Sequence, residues 1–269
     1  GAVETCQNSG SITGNGEDVG GICGFSNQPI TNCANTGDIT GGSVVGGVCG
    51  LMVSSKVTIS NCYNTGTVTG SAVGAVYGKN GRGQSGDGQG TITNCYYQSE
   101  ETTSTQEGAT PKTADQFSSG EVCWLLNGST SEGTLAWYQN LDNDQDKDTY
   151  PVLDSSHGVV YPIYDCTGLT ISGYNNTATS TESHNYEDGF CTLCGGYQPA
   201  NLNGDVYEIA NAGQLFWFAA LVNGDKTHAE FDSQNSAANA KLLNDITLNE
   251  NVLNADGELN GDGSGLRVW

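Results

Sequence analysis

The sequence predicts a mainly β chain: a right-handed β-helix (solenoid) of about three rungs, a small helical capping insert, and the start of a second β-helical block. Three observations predict it. A motif recurs at near-constant spacing, its first cysteines falling at 6, 33, 62 and 95, in steps of 27, 29 and 33 residues. Each copy holds short β-prone pieces separated by Asn-Thr-Gly and Gly-Gly, which supply the turns a coil needs. Lastly, 39 Gly and 14% charged residues, against roughly 25% charged in an ordinary globular chain, suit a narrow stacked interior.

The repeats occupy residues 1–99. Copies begin at Cys6-Gln7-Asn8-Ser9-Gly10, at Asn32-Cys33-Ala34-Asn35-Thr36-Gly37 and at Asn61-Cys62-Tyr63-Asn64-Thr65-Gly66, and a fourth stops after Thr93-Asn94-Cys95-Tyr96-Tyr97. The second copy reads as three strands: Ile30 to Cys33, Asp38 to Thr40 and Val44 to Leu51. The lengthening step is absorbed by loops, the longest spanning Lys79 to Gly90. Stacking places equivalent side chains about 4.8 Å apart. That predicts an amide ladder of Asn8, Asn35 and Asn64 and an apolar ladder of Ile12, Ile39 and Val68. Two further ladders follow: Cys6, Cys33, Cys62 and Cys95, then Cys23, Cys49 and Tyr77. Parallel side chains at that spacing favour free, buried thiols over disulfides or metal ligands.

The motif Asn-Cys-Tyr-Asn-Thr-Gly-x-Val-Thr-Gly, followed by Val-Gly-Gly-Ile-Cys-Gly, resembles the GLUG-type repeats of large bacterial cell-surface proteins, common in gut Firmicutes and Bacteroidetes. The resemblance covers residues 4 to 99. It implies an extracellular β-helical stalk or adhesin segment, sometimes attached to a peptidase, and supplies no catalytic residues. Lys112-Thr113-Ala114-x-Gln116-Phe117, Trp124-Leu125-Leu126-Asn127-Gly128 and Tyr150-Pro151-Val152-Leu153-Asp154 likewise resemble the segment that follows such repeats.

Residues 100–165 form the insert. Ser99 to Ala109 reads as a loop. Thr113-x-x-Gln116 and Ser118-x-x-Glu121 both look like capping boxes, and Glu121 to Gly128 reads as a short helix stopped by glycine. Its apolar side is expected to lid the open end of the coil, with Trp137, Tyr138 and Tyr150 to Leu153 adding cover. The run Asp142-Asn143-Asp144-Gln145-Asp146-Lys147-Asp148 alternates carboxylates as a calcium loop does. The EF-hand pattern, however, wants Gly where Lys147 stands and Glu where Leu153 stands. The reading is a solvated acidic turn, with a weak Ca²⁺ site of Asp142, Asp144, Asp146 and Asp148 as its alternative.

Residues 166–200 carry Cys166, His184, Cys191 and Cys194, spaced Cys-x17-His-x6-Cys-x2-Cys, with Gly195-Gly196 after the last. Three thiolates and an imidazole make a tetrahedral structural zinc site. A disulfide from Cys166 to Cys191 or Cys194, or unligated thiols, are the competing readings. The same stretch resembles a linker between repeat blocks of such surface proteins.

In residues 201–269, Val206 to Ile209 is a strand. Asn211-x-x-Gln214 opens a helix that ends at Asn223-Gly224 and is apolar on nearly every side, hence buried as a plug. Phe216, Trp217 and Phe218 read as core rather than a ligand platform. Lys241 to Leu248 and Leu266 to Trp269 look like first strands of the second, truncated block. The chain opens within a repeat and closes on a cut strand, as an excised piece of a longer protein would.

Function follows as a class. A net charge of −22 argues against nucleic acid and anionic headgroups, and no apolar run reaches the ~18 residues that span a bilayer. The leading reading is a non-catalytic, extracellular surface module that meets a host or bacterial surface glycan or protein. A glycan binder using Tyr63, Tyr77, Tyr96 or Tyr97 is the alternative, and a carbohydrate-active β-helix enzyme the third. Arg82 and Arg267 are the only arginines, and His157, His184 and His228 lie far apart in sequence with no nucleophile beside them, which argues against catalysis.

Overall fold

The computed structural model of the chain describes residues 1–81, 90–101, 108–142, 146–249, 252–259 and 266. Among these the protein is mainly β, with three α-helices, none long and apolar enough to cross a membrane. It divides into two compact units, the first made of Gly1–Tyr164 with Thr170–Ser180, the second of Asp165–Leu169 with Thr181–Trp269.

In the first unit each of the first three repeats contributes one strand to each of five parallel sheets, and the partial fourth copy one strand to each of the first two. The first joins Val3–Glu4, Ile30–Thr31, Thr58–Ser60 and Thr91–Thr93. In the second, Gln7–Asn8, Ala34–Asn35, Tyr63–Asn64 and Cys95–Gln98 pair in turn. The third joins Ile12–Thr13, Ile39–Thr40 and Val68–Thr69, and the fourth Asp18–Gly20, Val44–Gly46 and Ala72–Gly74. The fifth joins Cys23–Ser26, Cys49–Met52 and Tyr77–Asn80. Strands of one sheet thus come from the same position of successive copies, a pairing compatible with a β-helix.

Each copy has five short strands where the sequence reading expects three, and the reason is local. The piece Ile30 to Cys33 breaks at Asn32, which is left-handed (φ 53°), as are Thr5, Asn61 and Asn94 at the matching positions (φ 53°, 53° and 51°). Asparagine tolerates that region better than other non-glycine residues. The following cysteine clasps the corner: the Sγ–H of Cys33, Cys62 and Cys95 donates to the carbonyl two residues back, Thr31, Ser60 and Thr93, at 3.3, 3.1 and 3.3 Å. The piece Val44 to Leu51 breaks at Gly47-Val48, between Val44–Gly46 and Cys49–Met52.

Alternation within the second sheet sends neighbouring side chains to opposite faces. Inward, Asn8 Nδ2 donates to Asn35 Oδ1 and Asn35 Nδ2 to Asn64 Oδ1, both at 2.7 Å. The same Nδ2 groups donate to the carbonyls of Gly10, Gly37 and Gly66 at 2.7–2.8 Å, so the buried amides are satisfied. Ile12, Ile39 and Val68 stand in register, as do Cys23, Cys49 and Tyr77. Cys33 N–H donates to Cys62 Sγ at 3.3 Å, and Cys33, Cys62 and Cys95 share one core with Ile30, Met52 and Ile59. No disulfide links any of the ten cysteines.

Outward, Ala34, Tyr63 and Tyr96 form a stripe across three copies, and the insert packs on it. Helix α1 (Ala114–Ser118) opens with the Thr113/Gln116 capping box. Helix α2 (Glu121–Leu126) is preceded by Gly120 (φ 95°) instead of a Ser118 cap, and Glu121 receives Gln116 Nε2 and Lys112 Nζ. It closes with Ser129 N–H on Trp124 O and Gly128 N–H on Leu125 O, the Schellman pattern. Phe117 and Trp137 press on Tyr63, ring centroids 5.6 and 5.3 Å away, and its hydroxyl donates to Pro151 O at 2.6 Å. The helices and Trp137 of the insert therefore lie along the flank of the repeats, where the apolar stripe is, and its Ala109–Lys112 segment is the part that covers their end. The strand edge after the fourth copy is met by Ala109–Lys112, which pairs with Cys95–Gln98 where the sequence reads as loop up to Ala109.

In the second unit, Asn201–Asn203 runs antiparallel to Val206–Ile209, and Asn239–Leu242 joins the latter in parallel. Helix α3 (Ala212–Asn223) connects the parallel pair. It starts where Asn211 Oδ1 accepts Gln214 N–H and ends at Gly224 (φ 76°), with Trp217, Ala220 and Leu221 in a core shared with Ile209. The strand here ends at Leu242, short of the expected Leu248, and residues 267–269 lie outside the described residues.

Candidate metal centre

Four side chains that are far apart in sequence converge in the second unit. Their platform is a hairpin in which Tyr186–Glu187 pairs with Phe190–Cys191 across Asp188 (φ 48°) and Gly189 (φ 79°). Two consecutive left-handed residues give the turn whose twist matches that of the strands. Gly213 N–H donates to Asp188 O at 3.0 Å, so the hairpin tip is seated on the first turn of α3.

Beyond Cys191 the chain folds back on itself. Cys191 N–H donates to Gly196 O (2.8 Å), Gly195 N–H to Cys191 O (2.9 Å), and Gly196 N–H to Cys194 Sγ (3.4 Å), with Gly195 left-handed at φ 71°. This knuckle points both sulfurs the same way. His184, just before the hairpin, places Nδ1 3.4 Å from Cys194 Sγ and turns Nε2 to Glu230 Oε1, 3.7 Å away. Cys166 arrives on the Asp165–Gly168 turn, with Sγ 3.6 Å from Cys191 Sγ.

All four ligand atoms lie within 4.8 Å of one another. A tetrahedron with metal–sulfur bonds near 2.3 Å has edges of about 3.8 Å, which the 3.6 and 3.4 Å separations approach. A disulfide would need about 2.05 Å. These four residues can hold a metal ion, and three thiols with an imidazole suit a thiophilic one and not calcium or magnesium. Burial opposes ionisation of Cys191, but N–H groups of Cys194 and Leu193 and the His184 ring lower its pKa. Burial and the two neighbouring thiols raise that of Cys166. Binding a dication therefore displaces protons from the set. A cavity of about 340 Å³ opens beside Cys166, His184 and Cys194, walled by Tyr186, His228 and Glu230.

The remaining candidate residues fall elsewhere. Asp142 and Asp146 are exposed and Asp144 lies outside the described residues. Asp148 Oδ2 accepts Asn140 N–H at 2.7 Å and sits 2.5 Å from His157 Nδ1. Among the described residues the acidic run forms no cluster like that of the cysteines. His228 packs its ring on Tyr197, 5.6 Å between centroids. Tyr63, Tyr96 and Tyr97 are 0%, 8% and 3% exposed, too covered to stack on a sugar, and only Tyr77 of the four candidate platforms is partly exposed.

Glu230 behind His184 and the Asp188-Gly189 turn do not figure in the sequence reading. The turn had a signal, Asp-Gly between Tyr-Glu and Phe-Cys. Glu230, forty-six residues past His184, had none. Set beside known proteins, the chain matches no family model, no curated protein and no solved structure.

Proposed function

We propose that this chain is a non-catalytic, extracellular surface module, a stalk or adhesin segment of a larger bacterial protein built on GLUG-type repeats. On this reading the repeats wind as a right-handed β-helix of about three rungs, the hand that parallel crossover connections nearly always take. The parallel pair of the second unit begins a second such block. The observation that carries the proposal is how the repeat surfaces are used. Their inward faces are filled by amide, thiol and aliphatic ladders, and the Ala34–Tyr63–Tyr96 stripe is covered by the insert. Burial of that stripe covers Tyr63 and Tyr96, two of the four tyrosines on which a glycan-binding reading rests, and this favours the stalk reading. The Cys166, His184, Cys191 and Cys194 set is read as a structural zinc site, four protein ligands leaving no open coordination position.

The test is a panel of bacterial and host polysaccharides incubated with the zinc-loaded chain, read by product chromatography and by glycan-array retention. Neither turnover nor retention is expected. Product formation would overturn the proposal, and retention lost on Tyr77→Ala would replace it with glycan binding.

A further inference from the structure

The zinc and disulfide readings of the cysteine set compete for the same sulfurs, yet the geometry accommodates both in turn. Cys166 and Cys191 sulfurs are 3.6 Å apart, so closing them to a bond requires a shift of about 1.5 Å, within reach of side-chain rotation on the partly exposed Asp165–Gly168 turn. The three thiols are not equivalent. Cys194 Sγ is engaged by Gly196 N–H and His184. Such N–H bonds draw electron density from a thiolate. Cys166 is half-buried and lines the 340 Å³ cavity, whereas Cys191 is 4% exposed.

We propose that Cys166 and Cys191 are a site of oxidative disulfide formation, and that this disulfide and the bound metal exclude each other. The inference rests on the metal-site reading above. The oxidant is hydrogen peroxide. The Cys166 thiolate attacks one peroxide oxygen, an S–O bond forms, the O–O bond breaks, and hydroxide leaves. The Cys191 thiolate then attacks the Cys166 sulfur, the S–S bond forms, the S–O bond breaks, and a second hydroxide leaves. Two sulfurs are each oxidised by one electron and the two peroxide oxygens reduced. His184 and Cys194 alone then hold the ion, two donors where a stable tetrahedral site needs four, and it departs into the cavity as the hydrated dication.

The experiment uses the full chain carrying Cys6→Ser, which removes the exposed ladder thiol, loaded with Zn²⁺ and titrated with hydrogen peroxide. Zinc release is followed with a chromogenic chelator and disulfides by non-reducing peptide mass spectrometry. Release in step with a Cys166–Cys191 disulfide is expected, reversed by dithiothreitol plus Zn²⁺, and the pre-oxidised chain should take up none. Cys166→His keeps four ligands without an oxidisable thiol there, and should slow release about tenfold. Zinc bound but released equally fast from Cys166→His, or released with Cys191 joined to Cys194, overturns the inference alone. A reduced chain that takes up no zinc overturns the metal reading with it.

Discussion

Asn35 offers the most direct test of how the repeats hold together. Its side chain is fully buried, donates to Gly37 O and Asn64 Oδ1, and accepts from Asn8, all at 2.7 Å. Asn35→Ala orphans the buried Gly37 carbonyl, at about 1–3 kcal/mol, and removes two amide–amide bonds worth about 0.5–1.5 kcal/mol each. The loss is moderated because Asn8 keeps Gly10 O at 2.8 Å and Asn64 Oδ1 keeps Gly66 N–H at 3.3 Å. The expected destabilisation is about 2–5 kcal/mol, or roughly 10 °C in melting temperature for a unit of this size. Asn35→Asp should be worse than alanine despite matching its shape, since a carboxylate oxygen would then face two acceptors. Thermal melting by circular dichroism measures both, and hydrogen exchange of peptides from the repeats assigns the transition to the first unit. A loss under about 1 kcal/mol for alanine, or aspartate tolerated better than alanine, would refute the inward amide ladder.

Further outcomes follow from the same structure. Gly47→Ala would put a Cβ 2.1 Å from Ala75 O and 2.4 Å from Asn64 Cγ; an overlap with backbone on the next copy should cost about 3 kcal/mol or more, visible as loss of soluble folded protein. Tyr63→Phe deletes the buried bond to Pro151 O, 2.6 Å, for about 1–2 kcal/mol in a denaturant titration, with the inner ladders intact by hydrogen exchange. Chelation of the metal should loosen the second unit. Trp217 reports it, since its Nε1 donates at 2.9 Å to the carbonyl of Glu230, whose carboxylate faces His184. Acidification should release the metal too, because thiols and imidazole bind it only when deprotonated. Glu230→Gln should weaken zinc by about tenfold or less, the low end for a residue behind a ligand, because Glu230 is 85% exposed and 3.7 Å away; competition with a chelating dye reads it.

The sequence was most informative where one residue type recurs at one position. Asn8, Asn35 and Asn64, or Ile12, Ile39 and Val68, could be aligned by eye, and the register follows from that alignment. Strand number was harder to read. Asn32, Asn61 and Asn94 precede their cysteines in three copies, yet an asparagine beside β-branched residues reads as strand until its φ is known. The placement of the insert was hidden for another reason. Alternation predicts that Ala34, Tyr63 and Tyr96 point away from the interior, but an outward apolar stripe does not say which later segment covers it. That depends on tertiary packing of α1, α2 and Trp137, which no local pattern encodes.

The cysteines show why spacing in sequence separates two chemistries that composition confuses. In the repeats Cys6, Cys33, Cys62 and Cys95 each follow a left-handed corner and donate to the carbonyl two residues back, on the far side of that corner. Their neighbours lie one copy away on parallel bonds, so no two sulfurs share a focus and a tetrahedral ion finds no seat. In the second unit the knuckle turns the backbone through Gly195, and two sulfurs from one short loop aim at a point that Cys166 and His184 also reach. Direction of the Cα–Cβ bonds, not the number of thiols, decides between them. An exchange follows: a metal-directed reagent should select Cys166, Cys191 and Cys194 for protection from alkylation while Cys6, exposed at the end of the other array, stays reactive with or without Zn²⁺. Equal protection of Cys6 would mean that the parallel thiols bind metal after all, and the distinction drawn from side-chain direction would fail.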